Sequence, residues 1–582
     1  MANGGRTRAG APRELIDRPP PEPAETEAAP TASEATVEVE RAAEPEASRG
    51  RRELLLDVAA GLLVLVAYAI GQLVFLLGPQ PFDPAYYFQT AVEFPDIPPD
   101  RWTLRVGLML PVVAAVRVLG PGEASLYAVP FATGLVLAAA VYLTMLLLFR
   151  QRVLAIAAAL LTVLNANYLL NSSFIFPDTT GTATLAAGFF FLVLGAAEFR
   201  NEAGRWLGVS SALAAGTLFG ASYLVREFSP LLLPAVVAAV VLLRYPVRRV
   251  ALVAGAALAT VLSEIVYGAL VFGRPLVHAR VLVTHRGERT VQEELDSVFE
   301  VLFLFPRLLA SWRFGWLFIV LIVWFVVALA WFRDRRLWLF ASWLFVFWGS
   351  LVVLGLASLP SGKWLLNVSN IRYWYPAFPP LVMGALGGLA LCVQRFWPGA
   401  RGALLTSGLS VAVALLVLVP GFVQFDRCSA KDVWRNDPLT RWQALRAWFE
   451  TGAASGYSVL WTDIYTTRLV PAFTRTTFGE SLWDGEARVF PGGDSPVLAH
   501  LEPSSLILVH KDRFEVVRGA QRKLDKLRAG WHPLFTTSDG QMVVLAQGAA
   551  GTADAAPADQ RWWDLTAAPV PEGEGCGLKP GK

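Results

Sequence analysis

The sequence predicts an all-α polytopic membrane protein of about eleven transmembrane helices with a small extracytoplasmic α/β domain at its C-terminal end. Three observations predict it. Of the 582 residues, 54% are hydrophobic and only 17% charged, and the mean hydropathy is +0.47, whereas soluble domains carry about a quarter charged residues. The apolar residues gather into runs of spanning length, separated by short and mostly basic breaks. After Phe425 that pattern stops, and shorter helical and strand periods replace it.

Taken in order, residues 1–53 are rich in Pro, Ala, Glu and Arg and nearly lack aromatic and branched apolar side chains, which predicts a disordered cytoplasmic tail. They hold no apolar core of a cleavable signal, and Leu54–Leu77 is too long to be one, so that run is expected to stay as an anchor. The membrane domain, 54–425, has expected spans at 54–77, 124–149, 153–170, 179–198, 206–222, 227–243, 250–272, 314–332, 337–357, 373–392 and 402–424. Leu104–Leu119 is apolar but short, flanked by Arg105 and Arg117 and interrupted by Pro111, and reads as a helix resting in the interface.

That choice sets the sidedness. With it, Arg150/Arg152, Arg200/Arg205, Arg244/Arg248/Arg249, Arg333/Arg335/Arg336 and Arg395/Arg401 all fall in cytoplasmic loops, as the positive-inside rule asks. The expected location is therefore the cytoplasmic (inner) membrane, multi-pass, with the N-terminus inside and the C-terminal domain outside. The loop Gly273–Arg313, with Arg274, Arg280, Arg286, Arg289, Arg307 and Arg313, falls outside against the rule, which a functional need for cations would explain.

In 426–548 the periods predict a helix at 437–452, strands at Ser458–Thr462 and Ser505–Val509, a helix at Lys511–Arg528 and a hairpin over Leu534–Leu545 turning at Ser538-Asp539-Gly540. Residues 549–582 read as a second loose tail. Cys392 falls in a span, while Cys428 and Cys576 fall outside the cytoplasm, where a disulfide between them would persist; whether they pair stays open. No Cys/His spacing suits a metal, and a net charge of +3 gives no case for nucleic acid.

The groups that can do chemistry lie on the expected outer face. Asp83 stands in Pro79-Gln80-Pro81-Phe82-Asp83-Pro84-Ala85-Tyr86-Tyr87-Phe88, with Tyr86 and Tyr87 beside it, and Asp178 in Phe176-Pro177-Asp178-Thr179-Thr180. Each has a plainer alternative as a helix N-cap. Arg226, Lys363 and Arg372 supply cations there, and contact with lipid headgroups is the plainer use of these. Together the set suits a hydroxyl attacking a sugar carried on a lipid phosphate: a base takes the hydroxyl proton, and cations hold the leaving phosphate. Glu264 lies inside a span, where acids are costly, and His278 and His285 could contact phosphate or hydroxyl, or simply be surface residues.

The order of these parts resembles the GT-C superfamily of membrane glycosyltransferases, especially the branch of protein O-mannosyltransferases and the lipid A aminoarabinose transferase. The resemblance rests on Phe82-Asp83-Pro84-Ala85-Tyr86-Tyr87, Val118-Leu119-Gly120, Pro177-Asp178, Tyr223-Leu224-Val225-Arg226-Glu227 and Arg372-Tyr373 leading to Pro376, Pro379 and Pro380, within residues 54–425. It implies a polyprenyl-phosphate-linked sugar donor, Asp83 as the base, Asp178 as its partner and Arg372 as a phosphate ligand. Many members carry a second acid where this chain has Pro84; Glu93, Asp96 and Asp100 are nearby substitutes. The acceptor is a protein, a lipid or a cell-wall glycan. No cofactor is required by this chemistry, and a divalent metal is left open. The rival readings are a transporter or flippase of lipid-linked sugars, which would show midplane polar helices and two related halves, and a non-catalytic GT-C-like scaffold.

Overall fold

A computed structural model of the chain describes residues 32–80, 82–198, 205–226, 229–278, 281, 298–310, 315–358, 371–428, 439–490, 501–514, 520–527 and 530–547. Residues 1–58 form one compact unit and 59–582 a second. Helix α1 (Ala32–Val74) begins upstream of the expected Leu54, inside the segment read as a loose tail. The site is built wholly from the second unit.

Each of the eleven expected spans contains helix among the described residues. After α2 (Asp83–Glu93) and α3 (Val106–Leu119) come α4 (Glu123–Phe149), α5 (Arg152–Val163), α6 (Ala166–Ser172), α7 (Pro177–Glu198), α8 (Arg205–Val225), α9 (Leu233–Leu242) and α10 (Val247–Phe272). They are followed by α11 (Val298–Leu302), α12 (Leu304–Ala310), α13 (Trp316–Phe332), α14 (Arg335–Ser358), a 3-10 segment Ile371–Ala377 that runs into α15 (Phe378–Phe396), and α16 (Ala400–Cys428). Among the described residues eight helices are long and apolar enough to cross a membrane, or nine if α5 and α6, bent by 60°, count as one broken span. Ser229–Leu242 and α13 are shorter apolar helices, so the expected eleven exceeds what length alone supports. The chain is a multi-pass membrane protein.

Helix α3 has 14 residues, about 21 Å at the α-helical rise, against roughly 30 Å of bilayer hydrocarbon. It buries Val106, Leu108, Met109, Val112, Val113 and Val116 against α2, α4 and α8 and leaves Val118 exposed. At the centre, α15 is buried nearly all round, whereas α10 shows Leu258, Leu262, Val266 and Leu270 outward, as a lipid-facing helix does. Helix α10 is held through a close backbone contact: a Cβ on Gly216 would stand 2.2 Å from the Val253 carbonyl oxygen and one on Gly220 2.6 Å from that of Ala257. Small residues four apart permit that approach, and dispersion then holds the pair together.

Beyond α16 the chain forms α17 (Leu439–Glu450), β1 (Val459–Thr462), α18 (Ile464–Thr467), α19 (Val470–Phe473), β2 (Glu486–Val489), β3 (Ser505–His510), α20 (Lys511–Phe514), α21 (Ala520–Leu527), β4 (Trp531–Thr536) and β5 (Met542–Gln547). The strands make one sheet in the order β2-β1-β3-β5-β4, with β1 parallel to β2 and β3, and β5 antiparallel to β3 and β4. Alternate residues serve opposite faces. Leu506, Leu508, Val544 and Ala546 meet Trp442, Leu445 and Phe449 of α17, and Ile507, Val509, Val543 and Leu545 meet Leu524 and Trp531. The domain sits on the membrane part through an Arg446–Glu123 ion pair, an Ala124 N–H donated to the Thr477 carbonyl (3.0 Å) and Ala85 of α2, which lies in the domain's own core.

Candidate active site

Helix α2 does not start as the Asp-Pro pattern suggests. Its N-cap is Phe82, whose φ of 67° and ψ of −130° belong to a region glycine fills readily; holding an L side chain there costs about 1–3 kcal/mol. Asp83 is the first helical residue, and Pro84 follows where its missing N–H is no loss. Among the described residues no capping hydrogen bond is made at this helix start. Asp83 Oδ1 accepts from Trp102 Nε1 at 3.0 Å and its Oδ2 lies 3.7 Å from Arg372 Nη2. Asp83 therefore points across the chain, away from its own backbone.

Trp102 is set by Asp100. Asp100 Oδ1 accepts from the backbone N–H of Trp102 (2.8 Å) and of Thr103 (2.9 Å), its Oδ2 is bonded by the Tyr86 hydroxyl, and the Tyr86 and Trp102 rings meet at 4.6 Å. Asp100 thus shapes this loop. Burial, then the Asp100 hydrogen bond, raises the Tyr86 phenol above its ordinary range, which keeps it a proton donor. Tyr87, fully buried on the next position, accepts from Arg105; burial raises its phenol too, with Arg105 opposing. Glu93 accepts from Gln89 (2.7 Å) at the surface, and Asp96 is exposed.

Asp178, second residue of α7, also fails to act as a simple cap. Its Oδ1 lies 2.8 Å from Arg226 Nη2 and its Oδ2 3.8 Å from Arg372 Nε. The Arg226 guanidinium stands over the Tyr373 ring at 4.6 Å, and that of Arg372 over Phe176 at 5.0 Å and Tyr373 at 5.4 Å. The result is a row of alternating sign, Asp83, Arg372, Asp178, Arg226, from the starts of α2 and α7, the end of α8 and the 3-10 segment before α15. Arg372 touches both acids, so both stand at one end of the helix bundle.

Burial divides the row. The side chains of Asp83 and Arg372 are 27% and 22% exposed, those of Asp178 and Arg226 1% and 6%. Sealed charges of opposite sign stabilise each other and fix the geometry. Asp83 and Arg372 are the more exposed pair of the row.

Other expected site residues are placed elsewhere. Glu264 of α10 is in close contact with His278, and no described contact joins that pair to the carboxylate row. Tyr267, also on α10, donates to the Thr103 carbonyl at 3.1 Å, next to Trp102. Lys363, His285 and Cys576 lie outside the described residues, as does any Cys428–Cys576 pairing. Among the described residues no group of three or more His, Cys, Asp or Glu could hold a metal. Trp102, Arg105, Phe176 and Tyr373 were not anticipated as site residues; the one available signal was Trp102, an interfacial aromatic with an N–H to place.

No protein-family model matches the chain, and neither does any curated protein. Solved structures do. ArnT from Cupriavidus metallidurans bound to undecaprenyl phosphate is similar over 85% of this chain and 98% of its own, at 13% identity and a TM-score of 0.50. Its apo form covers 86% and 98% at 14% identity and a TM-score of 0.50. The Archaeoglobus fulgidus oligosaccharyltransferase in its apo form aligns with 81% of this chain and 69% of its own, at 14% identity and a TM-score of 0.41. The chain therefore shares the fold of ArnT over most of its length, and carries a small C-terminal α/β domain.

Proposed function

We propose that the protein is a membrane glycosyltransferase that moves a hexosyl or pentosyl group from a polyprenyl-phosphate donor to a hydroxyl of an extracytoplasmic protein, lipid or cell-wall glycan. The observation that carries this is the open Asp83–Arg372 pair backed by the sealed Asp178–Arg226 pair. ArnT, whose fold the chain shares, was crystallised with undecaprenyl phosphate, and the donor class is carried over from there. The basic loops at the opposite end of the bundle argue for the cytoplasm on that side and the site outside.

In this reading the acceptor hydroxyl gives its proton to Asp83 as its oxygen bonds the anomeric carbon. The bond from that carbon to the phosphate oxygen breaks, and the charge growing on the phosphate is met by Arg372, a planar donor suited to it. Before the donor binds, Arg372 shares its charge with Asp83; a phosphate at Arg372 competes for it and leaves the carboxylate to act as a base. Asp178 and Arg226 hold Arg372 in place. These side chains supply the positive charge, so transfer is expected to persist in chelator.

The test is purified protein given a radiolabelled polyprenyl-phosphate sugar and envelope material from cells lacking the gene. Label should move to an acceptor, and Asp83→Asn should stop transfer while donor binding survives. Undiminished transfer by Asp83→Asn removes it as the base, and no transfer from any such donor defeats the reading.

A further inference from the structure

Helix α2 has two faces with different owners. Asp83 and Tyr87 look toward the membrane part, to Trp102, Arg372 and Arg105. Phe82 and Ala85, three residues apart, are met by the C-terminal domain, and Tyr86, bonded to Asp100 on the membrane side, is reached by it from the other. The Phe82 ring lies 4.3 Å from that of Tyr465, the Arg468 guanidinium stands 4.8 Å over the Tyr86 ring, and Ala85 is buried in the domain's core. Just upstream, buried Arg513 donates to the Pro79 carbonyl at 2.8 Å. Tyr465 is itself fixed, since buried Asp463 accepts from its backbone N–H at 2.8 Å and from that of Thr466 at 2.9 Å, capping α18.

Among these contacts, the Tyr465 ring falls on a residue in an unfavourable backbone conformation. Phe82 at φ 67° immediately precedes Asp83, so relaxation there turns the first residue of α2 and swings its carboxylate away from Trp102 and Arg372. Such strain persists only where the surroundings over-determine it. We propose that the C-terminal domain is the positioning element of the site: Tyr465, packed on Phe82, holds that backbone in its left-handed form and thereby aims Asp83. Tyr465 is a positioning residue, one that acts through Phe82 and touches no reacting atom. The inference rests on the role proposed for Asp83, but its geometric core stands apart from the reaction.

The experiment therefore has an arm that needs no activity. In the full chain, Tyr465→Ala should speed hydrogen exchange at the N-terminus of α2, including the Tyr86 amide bonded to the Phe82 carbonyl, while β3 amides at the centre of the sheet keep their protection and report an intact domain. Unchanged exchange in α2 overturns the proposal. In the transfer assay Tyr465→Ala should lower kcat about tenfold, as small misplacements of reacting groups do, with the donor KM unchanged and Tyr465→Phe restoring the rate. Glycine at position 82 needs no clamp, so in a Phe82→Gly background the Tyr465→Ala cost should vanish; an equal cost in both backgrounds overturns the proposal. A wild type that transfers nothing defeats the function proposed above, and the exchange result alone then decides the clamp.

Discussion

Asp83 and Asp178 are the same residue type, each at the start of a helix and each within 4 Å of Arg372, yet they differ in nearly everything else. Asp83 is partly open, holds one neutral N–H donor and meets one arginine at long range; Asp178 is sealed between two arginines. The difference teaches that a carboxylate's task is set by what surrounds it. A sealed acid with two cations cannot exchange partners during a reaction, so it fixes geometry. An open acid with a weak cation contact can take a proton.

Substitutions can break this contrast. The largest effect is expected from Asp178→Ala, which leaves Arg226 buried without its carboxylate: about 3–5 kcal/mol of stability should go, read by thermal unfolding in detergent or nanodiscs, with transfer lost as well. Asp83→Asn should be its opposite, melting within about 1 kcal/mol of wild type while transfer falls by about 10²–10⁴, the span of general-base catalysis. Equal destabilisation by the two would abolish the distinction. Arg372→Lys keeps the charge but cannot reach both carboxylates with a planar fork, and should cost roughly ten- to a hundredfold in transfer and weaken binding of the proposed polyprenyl-phosphate donor. Trp102→Phe removes the indole N–H from Asp83, a hydrogen bond to a charged group, and should cost transfer about tenfold with little change in melting. The smallest effect concerns pH. The Tyr86 phenol titrates higher folded than unfolded, so its contribution is fully present below about pH 10, the unfolded tyrosine value, and is lost as pH rises through the folded one. Tyr86→Phe should flatten the alkaline fall in melting temperature.

Much of this was legible beforehand, and the particular residues say why. Apolar runs such as 250–272 declare themselves by length and composition, so the helices followed from counting. Strands β1 and β3 are short, mostly apolar runs buried on both faces, a pattern the sequence shows directly; β2, Glu486-Ala-Arg-Val, is four residues with two charges and becomes a strand only through its pairing with β1. Asp83 and Asp178 stand out in the sequence, but each also fits a capping pattern, and a local pattern cannot say whether a carboxylate turns toward its own helix or a distant arginine. Trp102 is nineteen residues from Asp83, and a contact across that distance is decided by the fold. The Phe82–Tyr465 contact spans the membrane and C-terminal parts and is farther still from any sequence period.

Arg372 sits on a 3-10 segment, which has three residues per turn. Ile371, Trp374 and Ala377 consequently stack along one buried edge, and the Tyr375 hydroxyl donates to Asn167 Oδ1 at 2.6 Å. Adding or deleting one residue between Ile371 and Ala377 would rotate the guanidinium by about 120° relative to that edge. The segment thus behaves as a keyed shaft whose length is fixed by its buried edge, and natural relatives that keep the chemistry should show no insertions there.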